Sequence, residues 1–285
     1  MEASGKRYII YGSRKDVFTF WHLADLHIWN SACDFKKVKQ DIQTIKDDPF
    51  AFWQGGGDYA DYIGFDDKRF DPDCVPQNTL VKDMGKLGKK QAEEVRGLFE
   101  PIKHKCLGLI EGNHEKQYQR RKDQSDLHSW LCTELNVPNL KYSALFDVVF
   151  SRQTTKDPKL LYEKYLKLYD CRTVRFFVHH GAGFAQTPGG KLNRLIQFMQ
   201  MFDADIFFCA HVHDQVGRRD VTISANESCT KLTERVKLGV VSGSYLKTYS
   251  QGTTSYGEQR GYRPTTLGSA TVSIKPQTGE IKGEI

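Results

Sequence analysis

Two pairs of potential metal ligands stand two residues apart in this sequence, Asp25 with His27 and His211 with His213. On extended backbone, side chains two positions apart point to the same side. Carboxylate oxygens and imidazole nitrogens both bind divalent metal ions, so each pair could help to hold one cation. A lone histidine would say little, because a surface or hydrogen-bonded histidine is the commoner case.

Three further clusters combine glycine with polar side chains. In Gly55-Gly56-Gly57-Asp58 the small residues allow a sharp turn, and the two oxygens of Asp58 could bridge two metals. Gly112-Asn113-His114-Glu115 offers a neutral amide oxygen, and a histidine near enough to serve a substrate instead of a metal. His179-His180-Gly181 offers two candidate ligands side by side. The five clusters contain six of the nine histidines, which is hard to attribute to coincidence.

Short β-branched and aromatic runs precede these clusters and predict strands. Amphipathic stretches alternate with the runs, a pattern typical of a layered α/β fold. Because sites in open α/β sheets gather at the carboxyl ends of strands, we expect the five clusters to meet at one edge. The predicted strands are Val17–Leu23, Phe50–Gln54, Cys106–Ile110, Val174–Val178, Ile206–Cys209 and Leu238–Val241.

The intervening stretches predict four helices. These are Asp34–Asp47, about Asp123 to Leu135, Pro158–Tyr169 and Lys191–Phe202. Residues 59–90 have no clear periodicity and are expected to form a long loop or insertion. Turn-rich spacing around 267–274 predicts a final strand or hairpin, so we expect one domain over residues 1–285.

The composition is mildly basic, with 41 Lys and Arg against 35 Asp and Glu and a net charge of +6. This excess suits a phosphate-bearing partner without identifying one. Seven cysteines without a CxxC pair argue against a disulfide framework and against a thiolate zinc site. No run approaches the roughly 20 apolar residues of a membrane span, and residues 1–16 lack an apolar core. We therefore expect a cytoplasmic protein with no membrane partner.

The clusters, taken in order, resemble the five motifs of the calcineurin-like metallophosphoesterase superfamily. The matching blocks are Asp25-x-His27, Gly57-Asp58-x-x-Asp61, Gly112-Asn113-His114-Glu115, His179 and His211-x-His213. The resemblance covers about two-thirds of the chain. It implies a four-layer α-β-β-α sandwich, in which a pair of β-sheets is flanked by helices and a dinuclear metal site lies at the carboxyl ends of the strands.

The resemblance also implies a role for each block. His114 would stay off the metals and face the scissile phosphate, while Asp61 and Glu115 would orient ligands. In the family the fourth ligand directly follows its strand and precedes one variable residue, which favours His179 over His180. The last block opens with Ala210 where the family usually has Gly, and no ligand is lost. The implied metal ligands are Asp25, His27 and His213 for the first ion, Asn113, His179 and His211 for the second, and Asp58 as the bridge.

The implied activity is metal-dependent hydrolysis of phosphate esters by a metal-activated hydroxide. Imidazole, carboxylate and amide ligands suit two Mn, Fe or Zn ions, of which we expect Mn. A phosphodiesterase or nuclease is favoured, and a phosphomonoesterase acting on phosphoprotein or a small metabolite is the alternative. A non-catalytic scaffold is disfavoured, because such relatives tend to lose ligands that this sequence retains.

The expectation of a nucleic-acid substrate depends on basic and aromatic residues near the clusters. The basic residues are Lys116, Arg120, Arg121 and Lys122 after His114, and Lys86, Lys89 and Lys90 in the insertion. They could contact a polyanion, or could simply be a solvated surface. Tyr59, Tyr62 and Phe65 could stack on bases, or could fasten the insertion to the core.

Overall fold

Two β-sheets organise the described part of the chain. The computed structural model describes every residue except 66, 68–69, 71, 73–78, 122–125, 153–170, 184, 186, 253 and 285. A six-stranded sheet has the order β1-β5-β6-β7-β9-β8, and a five-stranded sheet has the order β11-β10-β2-β3-β4. The strands are β1 Glu2–Tyr11, β2 Phe18–Leu23, β3 Ala51–Gly55, β4 Cys106–Leu109, β5 Ser143–Arg152, β6 Cys171–His179, β7 Ile206–Cys209, β8 Val216–Ala225, β9 Leu232–Val241, β10 Thr271–Lys275 and β11 Glu280–Glu284.

The six predicted strands are confirmed as β2, β3, β4, β6, β7 and β9. Sequence reasoning missed β1, β5 and β8. Strands β1 and β8 are the edges of the six-stranded sheet, and much of their surface is exposed, including the alternating Val221 and Ile223 of β8. Strand β5 did carry a signal, because Ala144, Phe146, Val148 and Phe150 alternate and are buried.

Parallel pairing brings the strand ends together. Strands β2, β3 and β4 are parallel, with Leu23 paired to Gly55 and Gly55 to Leu109. Strands β6, β7 and β9 are also parallel, with His179 paired to Cys209 and Cys209 to Val241. The residues that follow these strands therefore emerge side by side. The antiparallel hairpin β10–β11 pairs with β2 and completes the five-stranded sheet.

The helices are α1 Phe35–Asp47, α2 Leu87–Phe99, α3 Asn113–Arg121, α4 Leu127–Leu135, α5 Pro188–Met201 and α6 Tyr256–Gln259. Helix α1 confirms its prediction, and its first turn is capped by Asp34, which accepts from the Lys37 N–H at 3.0 Å. Helix α5 begins three residues before its predicted start, because Thr187 caps it and Pro188 fits its first turn. The predicted helix Pro158–Tyr169 lies outside the described residues. So does the start of the helix predicted from about Asp123 to Leu135, which the structure shows as α4. Among the described residues, no helix has both the length and the apolar character to cross a membrane.

Residues 81–90 differ from the predicted loop. A 3-10 helix covers Val81–Lys86, and α2 starts directly after it at Leu87. The apolar face of α2 continues through Val95 and Phe99, so only its first turn fell within the range that lacked periodicity. Tyr59 and Tyr62 are buried, and the Tyr59 hydroxyl donates to the Ile110 carbonyl at 2.7 Å. These two tyrosines fasten the segment to the core and have no free face for stacking on a base.

Three hydrophobic clusters hold these elements together. The first contains inward-facing residues of both sheets, among them Phe20, Phe150 and Phe176. The second joins the five-stranded sheet to α1, α2 and α4, with Trp53 near its centre. The third joins β6 and β7 to α5. Burial of these aromatic rings stabilises the packing of the sheets and helices, and so fixes the positions of the strand ends.

A buried lysine completes the end of α1. Lys105 is 9% exposed, and its ammonium donates to the carbonyls of Ile45 at 2.6 Å, Lys46 at 3.0 Å and Asp48 at 2.6 Å. The last carbonyls of a helix have no partner within the helix. Lys105 supplies those donors, and its positive charge also suits the negative end of the helix dipole.

We expect Lys105→Met to lower the free energy of unfolding by about 2–3 kcal/mol, because it removes the donor to the buried Ile45 carbonyl and two further hydrogen bonds from a charged group. The matched control is Lys103→Met, since Lys103 pairs with Glu100 at 2.6 Å while both side chains are about 40% exposed. That change should cost about 0.5 kcal/mol or less. Urea unfolding of both variants without added metal measures the difference. Equal losses in the two variants would contradict the role given to Lys105.

Candidate metal centre

The loops that follow the strands are tied to one another at the shared edge. The Asp25 N–H donates to the Gly57 carbonyl at 3.0 Å, and the His211 N–H donates to Asp25 Oδ2 at 2.8 Å. The Ala210 N–H donates to the His180 carbonyl at 2.9 Å. These bonds join loops from both sheets, so the edge is a single site.

The first group of potential ligands is formed by Asp25, His27 and His213. Asp25 Oδ1 lies 3.9 Å from His27 Nε2 and 3.5 Å from His213 Nε2, and these two nitrogens are 3.3 Å apart. Asp25 is fully buried, and its Oδ1 has no hydrogen-bond partner among the described residues. Buried polar atoms are nearly always paired, so an orphaned carboxylate oxygen facing two imidazoles fits a bound cation.

The second group surrounds the Asp58 carboxylate. His180 Nε2 lies 3.3 Å from Asp58 Oδ2 and 3.0 Å from Asn113 Oδ1. Asp58, His180 and His211 have ligand atoms within 4.8 Å of one another. Asp58 also belongs to a group with His27 and His114, so it lies between the two halves of the site.

The structure brings His180, and not His179, into this group. Nδ1 of His180 lies 2.8 Å from the Gly56 carbonyl, which leaves Nε2 to face Asp58 and Asn113. His179 faces the other way, and its ring centre is 4.6 Å from that of Phe198 on α5. His179, which the sequence favoured, thus lies outside this group of potential ligands. The signal was the two-residue alternation of β6, which places His179 on the same outward face as Phe177.

The two histidines also differ in their electrostatics. Burial lowers the pKa of His180, but the Asp58 and Asp25 carboxylates outweigh burial and raise it to about 10. Burial, together with the charge of His180, lowers the pKa of His179 to about 4. His180 thus lies where positive charge is stabilised, and His179 lies where it is not.

Five of the site residues have left-handed backbone conformations. The φ angles are +50° at Asp25, +48° at His27, +52° at Asp58, +74° at His211 and +50° at His213. Such angles are uncommon outside glycine, and they cluster at functional sites, where the surrounding structure must maintain them. The spacing suggested that the two-apart pairs converge through extended backbone, but these residues are not extended. Each pair instead converges through a loop in which both residues have strained, left-handed conformations.

His114 lies beside the first group without joining it. Its ring centre is 4.8 Å from that of His27, its Nδ1 lies 2.6 Å from the Asp61 carbonyl, and its backbone N–H donates to Asp58 Oδ1 at 2.9 Å. A donor bond from Nδ1 fixes the ring and turns Nε2 away from Asp61. Burial lowers the pKa of His114, but Asp58 and Asp61 outweigh burial and raise it.

Asp61 and Glu115 support the ligands, as the sequence suggested. Asp61 accepts from His27 Nδ1 at 2.8 Å and from the Asn30 amide at 2.7 Å. Sequence reasoning missed Asn30, which stands three residues after His27 but in no recognisable motif. Glu115 accepts from the backbone N–H groups of Asp58 at 3.0 Å, Tyr59 at 2.9 Å and Gly112 at 2.9 Å, and so joins two of the loops.

The sequence matches one known protein family. The family model described as calcineurin-like phosphoesterase matches residues 18–215. No curated protein matches the sequence. Among solved structures, a Sphaerobacter thermophilus metallophosphoesterase is 12% identical with a TM-score of 0.38, over 94% of this chain and 88% of that one. A predicted phosphoesterase of Streptococcus pneumoniae TIGR4 is 13% identical with a TM-score of 0.35, over 91% and 84% of the two chains. Pseudomonas putida nuclease MPE is 12% identical with a TM-score of 0.32, over 93% and 87%.

The family match includes all five ligand loops, from Asp25 to His213, and runs over more than half of the chain. The protein therefore belongs to the calcineurin-like phosphoesterase family and is a hydrolase that acts on phosphoester bonds.

Proposed function

We propose that the protein is a two-metal phosphodiesterase that acts on nucleic acid. The observation that carries the metal chemistry is the buried Asp25 oxygen, which has no described hydrogen-bond partner and faces two imidazole nitrogens. Asp58 belongs to the second group, with His180 and His211, and also to a group with His27, a member of the first group. A carboxylate in this position supports two ions rather than one.

The ligands divide between the two ions by their positions. We assign Asp25, His27 and His213 to the first ion, and Asn113, His180 and His211 to the second, with Asp58 as the bridge. His180 takes the place that the sequence favoured for His179. This nitrogen and oxygen set suits Mn, Fe or Zn, with Mn as our choice. Two such ions, when bound, supply Lewis-acid charge for the phosphoryl oxygens and a hydroxide nucleophile at neutral pH.

His114 is the residue that we assign to the substrate. Because Nδ1 is held by the Asp61 carbonyl, Nε2 is free to donate to a phosphoryl oxygen or to protonate the leaving oxygen. The carboxylates that raise the pKa of His114 favour the doubly protonated ring that such a donor requires. Its side chain is 14% exposed, so a substrate can reach it from solvent.

Exposed basic residues on α3, which begins at the site, and on the segment packed against it support a polyanionic substrate. Gly88 packs so closely on the Tyr118 ring that a Cβ at Gly88 would lie 2.7 Å from the Tyr118 hydroxyl oxygen. This contact sets the start of α2 against α3, the helix that begins at the site. Lys86 and Lys89 on one segment and Arg120 on the other are exposed, and we call these three residues the basic surface.

The other basic and aromatic residues that the sequence suggested as substrate contacts contribute less to substrate binding. Lys116 pairs with Glu111 at 3.3 Å, and Arg121 pairs with Asp67. Lys122 lies outside the described residues. Of the three aromatic residues considered for stacking, Phe65 is the one that is exposed. Charge attraction by the basic surface therefore contributes most to substrate binding, and base stacking contributes little.

We expect His180→Ala to lose one of two bound ions, because Nε2 of His180 faces Asp58 and Asn113. His179→Ala is the matched control and should still bind two. Inductively coupled plasma mass spectrometry after loading with Mn²⁺ and desalting measures the stoichiometry. Loss of an ion in His179→Ala alone would reverse the assignment. No bound metal in the wild type would refute the two-metal proposal itself.

We expect His114→Ala to bind two ions yet to turn over bis-p-nitrophenyl phosphate about 10²–10⁴-fold more slowly, the usual contribution of a general acid. His104→Ala is the control, since His104 is exposed on the 3-10 helix Glu100–Lys105, away from the ligand loops. Steady-state kinetics on Mn-loaded protein gives kcat for both. An unchanged kcat in His114→Ala would remove His114 from its assigned role.

A charge-reversal variant tests the nucleic-acid substrate. Changing Lys86, Lys89 and Arg120 together to Glu should raise KM for a single-stranded oligonucleotide at least about tenfold at low salt, because phosphate contacts dominate such binding. Hydrolysis of bis-p-nitrophenyl phosphate should not change. The control changes exposed Lys6, Lys231 and Lys282 to Glu, for the same shift in net charge.

The wild type gives the decisive comparison among substrates. Cleavage of oligonucleotides and diesters, with KM rising with salt, supports the nuclease assignment. If p-nitrophenyl phosphate is cleaved while diesters and oligonucleotides are not, the protein is a phosphomonoesterase.

A further inference from the structure

Tyr142 stands outside all five ligand loops, yet it contacts one of them. It lies in the connection between α4 and β5, directly before Ser143. Its ring centre is 5.3 Å from that of His179 at an interplanar angle of 87°, and 5.9 Å from that of His180 at 75°. Both are edge-to-face arrangements, the favoured geometry for aromatic rings. Tyr142 is half-buried, whereas His180 is fully buried.

The turn after His180 is confined on several sides. Gly181 has a φ of +115°, its N–H donates to His179 Nδ1 at 2.8 Å, and a Cβ there would lie 2.9 Å from the His211 Cβ. The Tyr142 hydroxyl lies 3.4 Å from the Gly181 carbonyl, which is long for a hydrogen bond to an oxygen. The ring of Tyr142, more than its hydroxyl, therefore limits the movement of this turn.

The connection that carries Tyr142 is itself fixed to another ligand loop. The Lys141 carbonyl accepts from the Glu111 N–H at 2.7 Å, and Glu111 precedes the Gly112-Asn113 loop. The Lys141 N–H donates to Asn139 Oδ1 at 2.9 Å, and Lys141 has a φ of +58°. Tyr142 thus links the loop of Asn113 to the turn of His180, two ligands that we assign to the same ion.

We propose that Tyr142 is a positioning residue that holds the His180 ring in its metal-binding orientation. The proposal rests on the proposed function, because it needs His180 to be a ligand. One hydrogen bond, from Nδ1 to Gly56, sets the far side of the His180 ring, and Tyr142 packs against the ring from the solvent side. Residues that orient a ligand in this way typically change metal affinity about 10–100-fold when removed.

Mn²⁺ titration calorimetry without substrate tests this role on the full chain. We expect Tyr142→Leu to raise Kd of the second ion about 10–100-fold, and to leave the first ion unchanged. Tyr142→Phe keeps the ring and should stay within about threefold of the wild type, because the hydroxyl contact is long. Tyr249→Leu, at an exposed tyrosine, is the control.

Two backgrounds separate positioning from a general loss of structure. In His213→Ala, which disrupts the first ligand group, Tyr142→Leu should still weaken the remaining ion about tenfold or more. In His180→Ala, Tyr142→Leu should change metal binding by less than about threefold, since the residue through which it acts is gone. Thermal unfolding in EDTA checks folding, and Tyr142→Met replaces Tyr142→Leu if the leucine variant does not fold.

The outcomes distinguish this proposal from the proposed function. If the wild type binds no Mn²⁺, the two-metal function fails. If the wild type binds two ions and Tyr142→Leu binds both with wild-type affinity, Tyr142 has no positioning role. Equal weakening of both ions, or an undiminished effect in His180→Ala, would also overturn it.

Discussion

The site depends on the burial of two carboxylates at the edge where the sheets meet. Asp25 and Asp58 are almost fully buried, and an ionised carboxylate away from water is costly unless positive charge or hydrogen bonds compensate it. Burial raises the pKa of Asp58, but the neighbouring histidines, His180 foremost, outweigh burial and hold it well below its usual range. The imidazoles around these carboxylates supply part of that compensation. Asp25 Oδ1, which has no hydrogen-bond partner among the described residues, is where it is incomplete. A bound cation would offset this cost directly, and its binding would then contribute to the stability of the loops.

The close approach of the loops is possible because two glycines meet at Asp58. Gly57 has a φ of +88°, and a Cβ there would lie 2.5 Å from the Gly112 nitrogen. Gly112 in turn lies against the Asp58 carboxylate with no space for a side chain. The loops can therefore pack backbone against backbone. The N–H groups of Asp58 and Gly112, which are buried by this packing, donate to Glu115. Glycine at these positions is thus a requirement of distance as much as of conformation.

Sequence reasoning found the central strands β6 and β7 and missed the two exposed edges, but it also missed the buried strand β5. The runs that form β6 and β7 lie at the centre of a sheet and read as continuous apolar segments. Strands β1 and β8 are edges; β1 pairs with β5, far along the chain, whereas β8 forms a hairpin with the neighbouring β9. In the site, residue types and spacing were sufficient to select the loops that meet at this edge. They were not sufficient to predict the left-handed angles at Asp25 or His27, which depend on contacts between loops.

The presence of His180, and not His179, in the second group follows from the same distinction between local and tertiary control. Adjacent residues at the end of a strand point to opposite faces, so one of the pair must face α5 and the other the site. The face that Phe177 presents to Phe198 settles which is which, because His179 continues that face. His179 packs against α5, and its Nδ1 accepts from the Gly181 N–H at 2.8 Å. The adjacent histidines thus lie on two faces of one strand, with His179 against the helix and His180 among the potential ligands.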